Sequence, residues 1–322
     1  MNTTGSEDSA ERYVAKISER IEMHSTTKRN TVLRSVEDSM TDSQPVLRNI
    51  SDTALWVAIY RALESERPDA LFRDPFARRL AGERGAEMRE RIRDAKKTDW
   101  AFVARTVAFD EAVQKCVAAG ADLVVNLAAG LDTRPYRMSL PASLRWVEVD
   151  LPDLVAYKEQ VLAGETPVCR LERVPLDLAD VPARRELFAR LGREASRALV
   201  VSEGLIIYLA TAEVASLARD LAAAPGFRWW ANDPVSPALL RRLNKSFGES
   251  LGQAGAPLRF ALAEGFGFFE PYGWRLVDAR SLLRTAARLK RVGWLYRLLA
   301  RLPDRYDPRR PWGGVCLFER SG

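Results

Sequence analysis

Leu123-Val124-Val125-Asn126-Leu127-Ala128-Ala129-Gly130-Leu131-Asp132-Thr133-Arg134 passes from an apolar run into small residues, a glycine and then polar side chains. A short apolar run bounded by a turn reads as a buried parallel strand, and the polar exit reads as a helix start. The glycine lets backbone approach a ligand closely. Trp146-Val147-Glu148-Val149-Asp150 then reads as a second strand ending in an acid. The separation of Gly130 from Asp150 suits a carboxylate that grips a ribose diol. Together the two segments point to a ligand bearing a nucleoside.

Composition sets bounds around this pair. With 322 residues, 47% of them hydrophobic, the chain can build one large domain or two small ones around a sizeable core. A formal charge of +6 is compatible with an anionic small substrate, an acidic carrier protein or nucleic acid, and selects none of them. Cys116, Cys169 and Cys316 are odd in number, far apart and set among apolar residues, and the sole histidine is His24. That pattern argues for buried inert thiols and against zinc or a disulfide framework, so no metal is expected. No apolar run reaches the ~20 residues of a membrane span. The first residues are polar and acidic, unlike a signal peptide. A cytoplasmic protein with no membrane partner is expected.

Residues 1–48 are rich in Ser, Thr, Glu and Asp, with Tyr13, Val14, Ile17 and Ile21 on one helical face. They read as a tail or a cap helix, leaving 49–322 as the domain. Helices are expected over 51–64, after Asp74-Pro75-Phe76, and over 100–117. Strands near 122–128, 144–150, 168–175, 198–203, 227–232, 274–279 and 314–319 then alternate with helices near 133–139, 153–163, 182–192, 211–224 and 280–302. This alternation predicts a parallel sheet covered on both faces. Residues 236–273 break the rhythm with glycines and with Phe260, Phe266, Phe268, Phe269 and Tyr272, and read as a lid-like insertion beside a pocket.

Ligands of open α/β sheets bind beyond the carboxyl ends of the strands. Acids stand at five successive ends: Asp132, Asp150, Asp177, Glu203 and Asp233. Helix capping accounts for one or two such acids, not for all five. The turn after the first strand has one glycine, so the dinucleotide pattern GxGxxG is absent. S-adenosylmethionine fits better. Its ribose hydroxyls and adenine amino group are donors that suit Asp150 and Asp177, and its carboxylate wants an arginine.

The segment Val124–Arg134 resembles the leucine carboxyl methyltransferase family, which includes tetracenomycin-type polyketide O-methyltransferases. Ser51-Asp52-Thr53-Ala54, Asp74-Pro75, Ala104-Arg105-Thr106 with Asp110, Val147-Glu148-Val149-Asp150-Leu151-Pro152, Asp177-Leu178 and Ser202-Glu203-Gly204-Leu205-Ile206-Ile207-Tyr208-Leu209 extend the resemblance over about residues 50–322. It implies a Rossmann-like class I methyltransferase: a seven-stranded, mostly parallel sheet with helices on both faces, N-terminal helices and a lid-like insertion. It implies S-adenosylmethionine as cofactor, with Arg105 at the methionine carboxylate and Ala129 and Gly130 along the methionine moiety. Asp150, followed by Leu151, holds the ribose, and Asp177 and Leu178 read the adenine. Glu203 sits beside the methyl group, and Arg61 is a looser match to a basic, ligand-facing position. The family has glycine where this chain has Ala128, whose methyl group crowds the cofactor's approach.

With no histidine beyond residue 24, an imidazole base is not expected in the core. That favours a carboxylate acceptor, already ionised at neutral pH, over a phenol. Glu203 and Tyr208 are the expected catalytic pair. Arg61, Tyr208, Phe268 and Tyr272 are expected to contact a small anionic or aromatic, natural-product-like substrate. The basic stretch 280–310 suits an acidic carrier protein, and a homodimer is compatible with the sequence. Protein C-terminal carboxyl methylation, a non-methylating rearrangement and a binding role are the alternatives. No Asn-Pro-Pro-Tyr-like motif supports nucleic acid.

Overall fold

The run Leu123–Leu127 forms β1, and all five residues are buried, as a strand covered on both faces requires. The structure is a computed structural model and describes residues 50–91, 95–302 and 305–321. The segment 1–48 lies outside them. β2 (Arg145–Asp150) and β4 (Ala198–Ser202) flank β1 in parallel, β3 (Arg170–Pro175) lies outside β2, and β5 (Phe227–Asn232) lies outside β4. β7 (Gly314–Arg320) inserts antiparallel between β5 and β6 (Trp274–Ser281). The order is therefore β3-β2-β1-β4-β5-β7-β6. The seven strands and the Rossmann-like class expected from the sequence are both present. The strand order reverses about β1, running to β2 and β3 on one side and to β4 and β5 on the other, so the crevice between the ends of β1 and β4 is the topological switch point.

Helices α1 (Ile50–Ser65), α2 (Ala77–Arg91) and α3 (Ala95–Ala118) precede the sheet, and α4 (Arg134–Arg137) follows β1. Next come α5 (Pro152–Val161), α6 (Val181–Glu194) and α7 (Thr211–Ala223). α6 opens with Asp180 accepting a hydrogen bond from the Ala183 N–H, a side-chain cap. One sheet face packs Leu127, Val149, Val200 and Trp230 against Phe188, Leu191 and Leu217 of α6 and α7. The other packs Val124, Trp146 and Val201 against Phe109 and Val113 of α3. Each fully buried side chain of this kind contributes about 1.5–3 kcal/mol. Cys116, Cys169 and Cys316 are free and buried, and burial pushes the Cys116 thiol up to about 12, far from a reactive thiolate.

Two sequence expectations need correction. The stretch 236–273 is not one lid. Its first part is α8 (Pro237–Gln253), whereas Phe260, Leu262 and Phe269 are fully buried beside Trp230 and Trp274. Five aromatics within residues 260–272 bury more apolar area against the sheet than a solvent-facing lid would, and burial wins. The expected helix over 280–302 is two helices, α9 (Leu282–Arg288) and α10 (Trp294–Leu299). Lys290 takes a left-handed φ of 57° between them. Arg291 then anchors the break, pairing with Glu64 at 2.7 Å and Asp69 at 2.8 Å.

Candidate active site

A cavity of about 1360 Å³ opens at the switch point. Arg61, Arg105, Ala129, Gly130, Asp150, Leu151, Asp177, Leu178, Glu203 and Tyr208 all line it, although they come from α1, α3 and the ends of four strands. Phe268 and Tyr272 do not. Phe268 packs on Phe260, Phe269 and Tyr272, with ring centroids 5.2, 5.0 and 5.6 Å away, so both residues lie half-buried against the aromatic core. The apolar wall expected from them is built instead by α8, through Leu239, Leu243, Phe247 and Leu251, with Trp56 of α1 packed against Phe247 at 5.6 Å between ring centroids.

At the β1–β2 end, Asp150 binds the turn. Its Oδ2 accepts the Gly130 N–H at 2.6 Å and its Oδ1 accepts the Leu151 N–H at 2.7 Å. Burial raises its pKa despite these bonds. Ala128 stands in the left-handed region with φ 49°, and Gly130 follows with φ 52°. The departure from glycine at Ala128 is therefore a conformational cost as well as a steric one. A residue with a Cβ pays about 1–2 kcal/mol there, and glycine loses about 0.5–1 kcal/mol in entropy. Ala128→Gly is expected to raise stability by about 0.5–1 kcal/mol in urea unfolding. A loss of stability would show that the methyl group packs favourably.

Between β1, β4 and β5 the charged groups interlock. Arg134 reaches Asp110 at 2.7 Å, Asp132 at 2.9 Å and Glu203 at 2.9 Å. Asn126 donates to Asp132 at 2.7 Å, and Arg137 also holds Asp110. Burial opposes ionisation of Asp132, yet Arg134 and Lys158 hold its carboxyl well below the usual range. Arg105 lies between Glu203 at 3.0 Å and Asp233 at 3.2 Å, its guanidinium 5.3 Å from the centre of the Phe102 ring. Gly204, with φ 68°, gives it room: a Cβ there would meet Arg105 Nη1 at 3.4 Å. Arg61 donates to Asp74 at 2.8 Å and to the Leu131 carbonyl at 2.5 Å, tying α1 to the turn after β1. Its guanidinium is thus committed to the scaffold at the cavity edge. Burial would raise Asp74, but Arg61 and the Thr133 hydroxyl hold it below the ordinary value. Tyr208 hydrogen-bonds Thr53, and burial raises its pKa, so its phenol stays protonated.

Asp233 stood at a strand end in the sequence, but nothing local marked it as a site residue. Its Oδ1 accepts the Gly204 N–H at 2.8 Å, and burial, outweighing Arg105, pushes its carboxyl up to about 6. An unfolded aspartate titrates near 4. The stability Asp233 contributes is thus fully present below about pH 4 and lost as pH rises through about 6. Relative to Asp233→Asn, the wild type is expected to lose about 1–3 kcal/mol between these pH values in urea unfolding. A constant difference across that range would refute the raised carboxyl.

Residues 54–222 match the family model described as leucine carboxyl methyltransferase. A protein of Parafrankia sp. (strain EAN1pec) is 40% identical over 191 residues, covering 56% of this chain and 61% of that protein. One of Mycobacteroides abscessus is 37% identical over 201 residues, covering 58% and 64%. Each is named "Putative S-adenosyl-L-methionine-dependent methyltransferase". The chain thus matches less than two thirds of either relative's length. The crystal structure of a duf574 family protein from Streptomyces avermitilis has a similar fold, with TM-score 0.53 and 18% identity over 83% of this chain and 97% of that one. Among the described residues, no helix is long and apolar enough to cross a membrane.

Proposed function

Because this chain belongs to the leucine carboxyl methyltransferase family, we propose that it uses S-adenosylmethionine to methylate an oxygen, a carboxylate first, of a small and largely apolar substrate. One observation carries this reading: the Asp150–Gly130 turn, the arginine–acid lattice and the apolar wall of α8 face a single cavity of about 1360 Å³. A drug-sized ligand fills roughly 300–1,000 Å³, so this space suits a cofactor and an acceptor together.

The residues fit the cofactor. Each oxygen of Asp150 accepts one backbone N–H and keeps a lone pair for a ribose hydroxyl. Arg105 lines the cavity between Glu203 and Asp233, where its guanidinium offers the positive charge that a ligand carboxylate needs. Glu203 and Asp233 stand beside Arg105 at the cavity wall, and acids there suit S-adenosylmethionine, which has one more positive than negative group. Asp177 and Leu178 line the same cavity, and in this proposal they take the adenine.

When bound, the cofactor supplies an activated methyl group on a neutral leaving sulfide. The chain's own part is alignment, worth roughly 7–11 kcal/mol. Tyr208, held by Thr53, offers a hydrogen bond to the acceptor oxygen, and Glu203 is pinned beside it by two arginines. A carboxylate acceptor needs no base. The raised carboxyl of Asp233 favours a second reading, in which it takes the proton of a phenol.

Calorimetric titration with S-adenosylmethionine tests the cofactor, and binding at micromolar concentration is expected. No binding overturns the reading. With a panel of apolar acids and phenols, methyl groups released by mild base support the carboxylate, and base-stable ethers support the phenol.

A further inference from the structure

Beyond the reaction, we propose that α10 is a docking surface for an anionic lipid bilayer, placed at the mouth of the cavity. Trp294 is 72% exposed, Leu295, Tyr296 and Leu298 52% each, Leu299 45% and Leu302 61%. A helix that is apolar around its circumference belongs in an apolar medium, and a contiguous exposed patch of this kind marks an interaction site. Residues 280–302 carry seven basic side chains and no acidic one. Of these, Lys290, Arg297 and Arg301 have no carboxylate partner among the described residues. Tryptophan, tyrosine and leucine beside unpaired arginines are the composition of a segment lying in the headgroup region, with rings at the interface and guanidiniums on phosphate. The weight of large apolar side chains over unpaired cations favours a bilayer over an acidic protein. Gly293 and Tyr296 also line the cavity, so α10 would present its opening to the membrane. An apolar acceptor could then enter without crossing water. This last point rests on the proposed reaction, whereas the docking does not.

Co-sedimentation of the full chain with phosphatidylcholine vesicles, with and without about 30% phosphatidylglycerol, tests this. The chain is expected to pellet with the anionic vesicles, and less so as salt rises. Leu295→Glu/Leu298→Glu and Arg297→Glu/Arg301→Glu are each expected to lower the bound fraction at least about tenfold, with S-adenosylmethionine affinity unchanged. Thermal melts check folding; if the leucine variant fails to fold, the arginine variant and the salt series decide. The proposal is overturned if the wild type stays in the supernatant, or if a folded leucine variant pellets like the wild type. It is also overturned if the patch mediates a dimer that the leucine variant abolishes, or retains an acidic carrier protein while ignoring vesicles.

Discussion

Arg134→Ala is expected to cost about 3–5 kcal/mol of folding stability, the largest effect of any single change in this lattice. The Arg134 side chain is 3% exposed and is the common partner of Asp110, Asp132 and Glu203. Its guanidinium also lies 5.7 Å from the centre of the Phe109 ring. Deleting it leaves Asp132 and Glu203, mostly buried at the cavity wall, with fewer counter-charges, and uncompensated buried charge is what makes breaking such a pair costly. Arg137 still holds Asp110, so that acid suffers least. Arg134→Lys should recover only part of the loss, because an ammonium cannot bridge three carboxylates as a planar fork does. Urea unfolding without ligand measures the effect. A loss below about 1 kcal/mol would show that the pocket relaxes or admits water.

Arg105→Ala is expected to weaken S-adenosylmethionine binding by about 30- to 1,000-fold, the equivalent of about 2–4 kcal/mol for removing one member of a buried charge pair. Its effect on folding should be smaller than that at position 134. Glu203 keeps Arg134, and Asp233 keeps the Gly204 N–H and moves toward its protonated form. The two variants therefore separate: one is read in unfolding, the other in calorimetric titration of a folded protein. Unchanged affinity in Arg105→Ala would remove the methionine end from this part of the cavity.

The central strands were legible because β1 and β4 are short, almost wholly apolar runs, and an acid stands at the end of each parallel strand or within a few residues after it. The acids at those ends were legible too, but their partners were not. Arg134 reads in sequence as a neighbour of Asp132 that stiffens a turn. Its reach to Glu203 and Asp110 depends on β1, β4 and α3 meeting in space. Asp233 was noticed only as a strand end, since its raised carboxyl comes from burial that no local pattern encodes. Phe268 and Tyr272 misled because aromatic content does not say which way a segment faces; the packing of Phe268 on Phe260, Phe269 and Tyr272 decided that. The break at Lys290 was hidden because leucine spacing continues across it. The pull of Arg291 toward Glu64 acts over 227 positions of sequence.

The family match ends at residue 222, before β5 begins, whereas α8 supplies the apolar wall from residues 237–253. The cavity is thus written by two stretches of chain that can drift apart in evolution. One is held by the lattice of charges, where each change disturbs several partners. The other is a single helix whose leucines touch few of them. Grafting the α8 segment from a relative should therefore exchange acceptor preference while cofactor affinity stays put, which makes this fold a socket with a replaceable face.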